Sequence, residues 1–134
     1  MPLCSDHIEQ AEHNKSFAEQ LIETKPMLYK DWAVIGAFYS AVHFIEAYRA
    51  NKNGDHSDGH LNRNLFVIQE FPKKISKAYM KLSRLSRILR YLELAGKIYP
   101  SKGTWINDAD VMAFVTISLI NVEEEVKTQL NPTA

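Results

Sequence analysis

The segment from Trp32 to Tyr48 constrains the fold more than any other part of the chain, because its apolar side chains fall on nearly every side of a helix axis. A helix that is apolar all round lies either at the centre of a protein or in a membrane. This segment contains His43 and Glu46 and is short for a membrane span, so a buried helix is the better interpretation. We therefore predict a bundle in which this helix is central.

Four other segments repeat apolar residues every three or four positions, which is the spacing of an amphipathic helix. The predicted helices run over about 5–24, 32–51, 60–71, 72–95 and 107–131. Their predicted capping residues are Asp6, Asp31, Gly96 and Asn107. No segment alternates apolar and polar residues every two positions, so no strand is predicted. The chain is expected to be all-α, a bundle of four to five helices forming a single domain over residues 1–134.

The third and fourth helices are each predicted to have one apolar side. In the third, Leu61, Leu65, Ile68 and Phe71 recur at helical spacing. The fourth is amphipathic, and its other side carries Lys and Arg with no acid among them. This candidate anion-binding face consists of Lys74, Lys77, Lys81, Arg84 and Arg87. It is either an ordinary solvated surface or a binding surface for phosphates or an acidic partner.

Charge is unevenly distributed along a chain whose formal net charge is zero. Between Pro72 and Gly103, nine Lys or Arg residues accompany one acid, Glu93, so this segment carries +8 and the remainder −8. Such asymmetry concerns partners rather than fold. The candidate partners are therefore RNA, a nucleotide or another protein.

Composition and motifs narrow the class of protein. With 46% apolar and 24% charged residues, a chain of 134 residues can bury a core without metal or disulfide support. A lone cysteine, Cys4, and an N-terminus without a signal-peptide pattern predict a soluble, cytoplasmic protein with no membrane association. The pair His56 and His60 lacks the further ligands that a metal site needs, so no metal is predicted. No Gly-rich phosphate loop or nucleophile elbow is present, and no cofactor is predicted.

Two further groups of residues have a structural and a functional interpretation. Tyr39, His43 and Glu46 share one stripe of the central helix, either as a hydrogen-bonded core network or as a polar pocket where Glu46 poises His43 for acid–base chemistry. In the loop over residues 97–106, Tyr99 and Trp105 stand among lysines. They either seal the core or stack on nucleic-acid bases.

Two segments together resemble a known family. One is Asp31-Trp32-Ala33, followed by Ala37-Phe38-Tyr39-Ser40-Ala41-Val42-His43 and Glu46-Ala47-Tyr48. The other is His60-xx-Arg63, followed by Tyr79-xx-Leu82-xxx-Ser86-xxx-Arg90-Tyr91. They resemble the small HEPN-like helical proteins of bacteria and archaea, which often accompany nucleotide or RNA metabolism. The match spans roughly half the chain.

The resemblance implies an up-and-down helical bundle that forms a homodimer. In the ribonuclease members of the family, an Arg and a His with four to six residues between them form a composite site across the dimer. Arg49 and His56 have this spacing. However, they lie at the end of the second helix rather than late in the domain, and Ala50 replaces the usual polar residue. We therefore assign no catalytic residue.

The two Arg residues of the matched segments extend the polar stripe into a candidate pocket. Its residues are Tyr39, His43, Glu46, His60, Arg63 and Arg90. Three hypotheses follow from the sequence. The first is a non-catalytic HEPN-like module that binds RNA, a nucleotide or a protein partner. The second is a HEPN-type ribonuclease or other hydrolase that uses this pocket, and the third is a protein-binding dimer of the toxin–antitoxin type.

Overall fold

The computed structural model describes residues 2–131 and shows an all-α bundle, as predicted. Its first four helices are α1 (Cys4–Glu23), α2 (Lys30–Asn53), α3 (His60–Glu70) and α4 (Lys73–Tyr91). Two short strands, β1 (Glu93–Leu94) and β2 (Lys97–Ile98), and a 3₁₀ turn (Ser101–Gly103) follow. The chain ends in one continuous helix made of α5 (Asp108–Ala113), a π-helical turn (Phe114–Ser118) and α6 (Leu119–Leu130).

The central position of α2 is confirmed. The helix packs against α1, α4 and α6, and its buried residues occur on all sides of its axis. Phe38 and Phe44 are completely buried, and the Phe38 ring contacts Tyr39 and Tyr79. Within residues 2–131, no helix is long and apolar enough to cross a bilayer.

Several helix ends differ from the sequence predictions. Asp6 lies inside α1, where its Oδ2 accepts from the Leu3 backbone N–H at 2.8 Å, and Asp31 lies in the first turn of α2. Neither acid is an N-cap, but both carboxylates lie near the N-terminus of their helix, where the helix dipole interacts favourably with negative charge. The prediction for Asn107 is confirmed. It is the N-cap of the last helix, and its side chain accepts a hydrogen bond from the Asp110 backbone N–H at 2.7 Å.

The fourth helix is shorter than predicted, and the prediction that the chain has no strands was wrong. It ends at Tyr91 because Leu92 adopts a left-handed conformation with φ of 60°. The antiparallel pair β1 and β2 then forms around a turn in which Ala95 and Gly96 have positive φ. Strands of two residues are too short to show an alternating pattern, so sequence periodicity could not reveal them.

Of the four apolar residues at helical spacing in the third predicted helix, only Phe71 is buried. Leu61, Leu65 and Ile68 are 75%, 52% and 55% exposed, whereas Phe66 and Val67, on the opposite side of the helix, are buried. Phe66 packs against Tyr48 and Phe71 and lies beneath the Arg49 guanidinium. The helix therefore has two apolar sides, and the side with the aromatic ring is the one that packs on the core.

Candidate nucleic-acid interface

The basic side of α4 faces solvent along the length of the helix. Its apolar side packs against α2 and the C-terminal helix, which directs the lysines and arginines outward. All five residues of the predicted anion-binding face are exposed: Lys74, Lys77, Lys81, Arg84 and Arg87. Among residues 2–131, none of these cations has a carboxylate oxygen within 4.0 Å.

One end of this face is less open than the rest. Lys74 borders a surface depression of about 350 Å³ together with Glu124 and Glu125, so acids of the same chain lie near its charge. Glu123, the next acid, is buried and pairs with Lys15 and Lys127 instead. The uncompensated part of the face, called the basic ridge below, consists of Lys77, Lys81, Arg84 and Arg87.

A cavity of about 630 Å³ opens between α3 and the C-terminal end of α4. We call it the α3–α4 cavity; among its lining residues are His60, Asn64, Arg87, Arg90 and Tyr91. Its volume lies in the range of about 300–1,000 Å³ that holds small ligands. Its polar lining includes two guanidinium groups and one carboxylate, that of Glu93, so the cavity is suited to an anion.

Arg90 is held in a fixed position at this cavity. Its Nη1 donates to the Tyr39 hydroxyl at 2.9 Å, and its Nε donates to the Ser86 carbonyl at 3.3 Å. The guanidinium also lies 5.7 Å from the Phe38 ring centroid and 5.2 Å from that of Tyr91. A cation positioned in advance loses little entropy when it binds a phosphate or a carboxylate. Arg90 is therefore well placed to hold an anion.

A second hydrogen-bonded group joins α2, α3 and the loop between them. The Arg63 Nε donates to Glu46 Oε1 at 2.8 Å, the Ser57 backbone N–H donates to Glu46 Oε2 at 3.2 Å, and Arg63 Nη1 contacts His60 Nδ1 at 3.1 Å. Burial opposes the charge on Glu46, but the hydrogen bonds from Ser57 and Arg63 outweigh it and lower the pKa of this carboxyl. Burial also raises the pKa of the neighbouring Tyr79 to about 12.

A third group is a chain of three imidazoles. His7 Nδ1 lies 3.0 Å from His43 Nδ1, and His7 Nε2 lies 3.0 Å from His56 Nε2. Burial, followed by the charge of His56, lowers the pKa of His7, and burial followed by the charge of His7 lowers that of His43. Burial also lowers the pKa of His60, which lies outside this chain. Burial therefore favours the neutral forms of His7 and His43.

The residues of the predicted polar pocket are near one another but do not form a single open site. They fall into the three groups just described: Arg90 with Tyr39, His60 and Arg63 with Glu46, and His43 with His7. His60 and Arg90 line the α3–α4 cavity. Within the described residues, no hydrogen bond joins His43 to Glu46, so the carboxylate expected to poise His43 is engaged by Arg63 instead.

Sequence reasoning did not include His7 and Ser57 in the site. His7 lies 36 residues before His43, and no local spacing connects α1 with α2. The Ser57 contribution comes from its backbone N–H, which every residue except proline carries. No signal in a single sequence could have identified either residue.

Arg49 and His56, the pair with the family's spacing, make separate structural contacts. Arg49 donates to Asp55, Ser57 and Asn62, and it thereby ties the loop after α2 to α3. His56 contacts His7 and the Pro2 carbonyl.

Among residues 2–131, no group of three or more His, Cys, Asp and Glu side chains is arranged to hold a metal ion. The site is therefore described by its cations, its cavity and its aromatic rings. Compared with protein-family models, curated protein sequences and solved structures, the chain matches none of them.

Proposed function

We propose that this protein is a non-catalytic HEPN-like helical module that binds RNA through the basic ridge of α4. The observation that carries the proposal is a row of four exposed cations, none with a carboxylate within ion-pair distance among the described residues, which continues into the α3–α4 cavity through Arg87. Exposed helices usually mix charges of both signs, because pairs of opposite charge stabilise them. Phosphate groups would relieve the mutual repulsion in this row.

The proposal is for binding rather than catalysis because the candidate acid–base groups are engaged. Glu46 is held by Arg63 and Ser57, and the Arg49 guanidinium by the loop after α2. A general base must reach the proton that it removes, directly or through one water. A hydrolase that used Glu46 would first have to break a buried ion pair.

The test is the salt dependence of RNA binding. Fluorescence anisotropy with a labelled single-stranded RNA would be measured at about 50 and 200 mM salt, a range over which phosphate contacts weaken steeply. In the double variant Lys77→Glu/Arg84→Glu, two contacts are lost. The slope of log K against log salt should then fall by about 1.4–2 units.

The matched control is Lys25→Glu/Lys52→Glu, which changes the net charge equally at two exposed lysines outside α4. This control should bind RNA nearly as the unaltered protein does. Equal slopes for the two double variants would refute the proposal. Absence of RNA binding at low salt would also refute it. The exposed cations of the basic ridge would then support the rival hypothesis, in which they bind an acidic protein partner.

A further inference from the structure

We propose that an aromatic groove beside the basic ridge is a stacking site for one unpaired nucleobase, so that the protein selects single-stranded over double-stranded RNA. This inference rests on the proposed function and adds the class of nucleic acid to it. The groove has a volume of about 210 Å³ and is lined by Tyr99, Trp105 and Phe114, by Leu85 and Ile88 of α4, and by Lys81 and Arg84 of the ridge.

The two loop rings of this groove, Tyr99 and Trp105, are not part of the hydrophobic core. Gly103 and Ile106 seal the core instead, since both are buried and a Cβ on Gly103 would lie 3.2 Å from the Asp31 backbone nitrogen. Trp105, between them, is 38% exposed, and its Nε1 donates to the Pro100 carbonyl at 3.2 Å. The loop is therefore anchored by its small and aliphatic residues, and the indole remains at the surface.

The geometry of the groove matches a stacking platform. The Tyr99 and Trp105 ring centroids are 5.0 Å apart, so the two rings support each other. Lysine ammonium groups lie at the faces of two rings, with Lys97 Nζ 4.9 Å from the Tyr99 centroid and Lys81 Nζ 5.8 Å from the Phe114 centroid. Bases stack on aromatic rings in sites of this kind while adjacent cations follow the phosphates.

The size and charge of the groove favour a base over other occupants. Its volume lies below the range of about 300–1,000 Å³ for pockets that enclose whole small molecules. A single planar ring, attached to a backbone that runs along the ridge, needs less space. The comparable apolar groove formed by Phe17, Leu21, Tyr29 and Trp32 has no cation in its lining. Of these two grooves, only the one beside α4 therefore combines aromatic rings with cations that could bind phosphate.

A paired base cannot enter this groove, because both of its faces are covered by its neighbours in the duplex. Double-stranded RNA would contact the ridge through phosphates alone. Single-stranded RNA would gain the stacking contact in addition. The stacking contribution should be insensitive to salt, whereas the phosphate contribution is salt-dependent.

The experiment compares three probes: a single-stranded oligoadenylate, a duplex of the same length, and inorganic polyphosphate, which has charge but no bases. Trp105→Ala should weaken oligoadenylate binding about tenfold and leave polyphosphate binding unchanged. Trp32→Ala removes the other exposed indole and should change neither. Because Trp105→Ala could disturb the loop, Trp32→Phe provides a second measurement, with Trp105 as the sole indole fluorophore. Its fluorescence should be quenched by oligoadenylate and not by polyphosphate.

Unchanged oligoadenylate affinity in Trp105→Ala, or equal affinity of the unaltered protein for single and double strands, would overturn the stacking site. If Lys77→Glu/Arg84→Glu still weakened RNA binding, the proposed function would survive that failure. Absence of binding to all three probes would overturn both.

Discussion

At the scale of single residues, hydrogen bonds couple the tautomers of the three imidazoles. The Pro2 carbonyl can only accept a hydrogen bond, so its contact with His56 Nε2 favours a hydrogen on that nitrogen, which is then shared between the carbonyl and His7 Nε2. In that arrangement neutral His7 carries its hydrogen on Nδ1, which donates to His43 Nδ1. A proton then added to His7 or His43 would place two N–H groups against each other, so the folded state disfavours protonation of these two side chains.

The stability of the protein should consequently depend on pH. His7 and His43 have folded-state pKa values below their ordinary value of 6.5, mainly because they are buried. The charges of Glu46, Asp6 and Arg63 act on His7, and those of Glu46 and Arg63 also on His43. The unfolded chain takes up these protons at higher pH than the folded one. Stability is therefore complete above about pH 6.5 and decreases as the pH falls below it.

Urea unfolding at a series of pH values from about 8 to about 5 would measure this dependence. His43→Gln should reduce the dependence, because it removes one of the groups whose pKa is lowered. The control is His13→Gln, which alters an exposed histidine outside the chain of imidazoles. A stability that stays level across this range, or an equal pH dependence in both variants, would contradict the prediction.

Breaking the ion pair between Glu46 and Arg63 by removing one partner should destabilise the protein strongly. Their side chains are only 6% and 12% exposed, so Arg63→Gln would leave a buried carboxylate without its counter-charge. The expected cost is about 3–5 kcal/mol. Glu46→Gln/Arg63→Gln should cost less than the sum of the single changes. The measurement is the free energy of unfolding in urea.

The matched control for that pair is Lys52→Gln, which breaks the ion pair between Lys52 and Glu70 at the surface. Exposed pairs contribute little, so this variant should unfold nearly as the unaltered protein does. A cost for Arg63→Gln no larger than that for Lys52→Gln would show that the buried pair is not required.

The sequence could identify only part of the site at this scale. Tyr39, His43 and Glu46 were predicted to share one stripe of α2, which is a matter of local helical spacing. Their actual partners come from α1, α3, α4 and the loop after α2. Those partners depend on how the helices pack, and helical periodicity does not encode it. For the same reason, the predicted pairing of His43 with Glu46 is absent from the described part of the chain: His43 contacts His7, and Glu46 accepts a hydrogen bond from Arg63.

At the scale of secondary-structure elements, the central helix was predictable because its apolar side chains surround the axis, and an apolar segment too short to span a membrane can bury them only at the centre of the bundle. α3 was harder because it is apolar on two sides, and a short helix does not indicate which one is buried. The pairing of Phe66 with Tyr48 and Phe71 decides the matter, and it depends on residues from outside the helix. The two-residue strands after α4 were too short to predict.

The family resemblance predicts a homodimer, and the exposed apolar side of α3 is the surface that we test for its contact. In such a dimer, Leu61, Leu65 and Ile68 would pack against the same residues of a second copy, because a two-fold axis brings identical surfaces together. Light scattering coupled to size-exclusion chromatography should give the mass of a dimer. Leu61→Ser/Leu65→Ser should give the mass of a monomer.

Leu3→Ser/Leu28→Ser is the control, since it removes two exposed leucines outside α3. This variant should remain dimeric. A monomeric unaltered protein, or a dimer that survives the α3 substitutions, would rule out this contact.

At the scale of the whole molecule, a protein with no formal net charge carries its positive excess on one stretch of the chain and its negative excess on the rest. The sequence isoelectric point is about 7.0, and the positive stretch is the one that contains α4. Near a polyanion, the electrostatic field of the polyanion would orient the molecule before contact, so that more encounters begin with α4 facing the polyanion. The same asymmetry should let copies attract one another when little salt is present, since the Debye length is about 30 Å at 0.01 M and about 10 Å at 0.1 M. Close to neutral pH, the low-salt conditions that would speed the proposed binding of a nucleic acid are thus also those in which net charge does least to keep free copies apart.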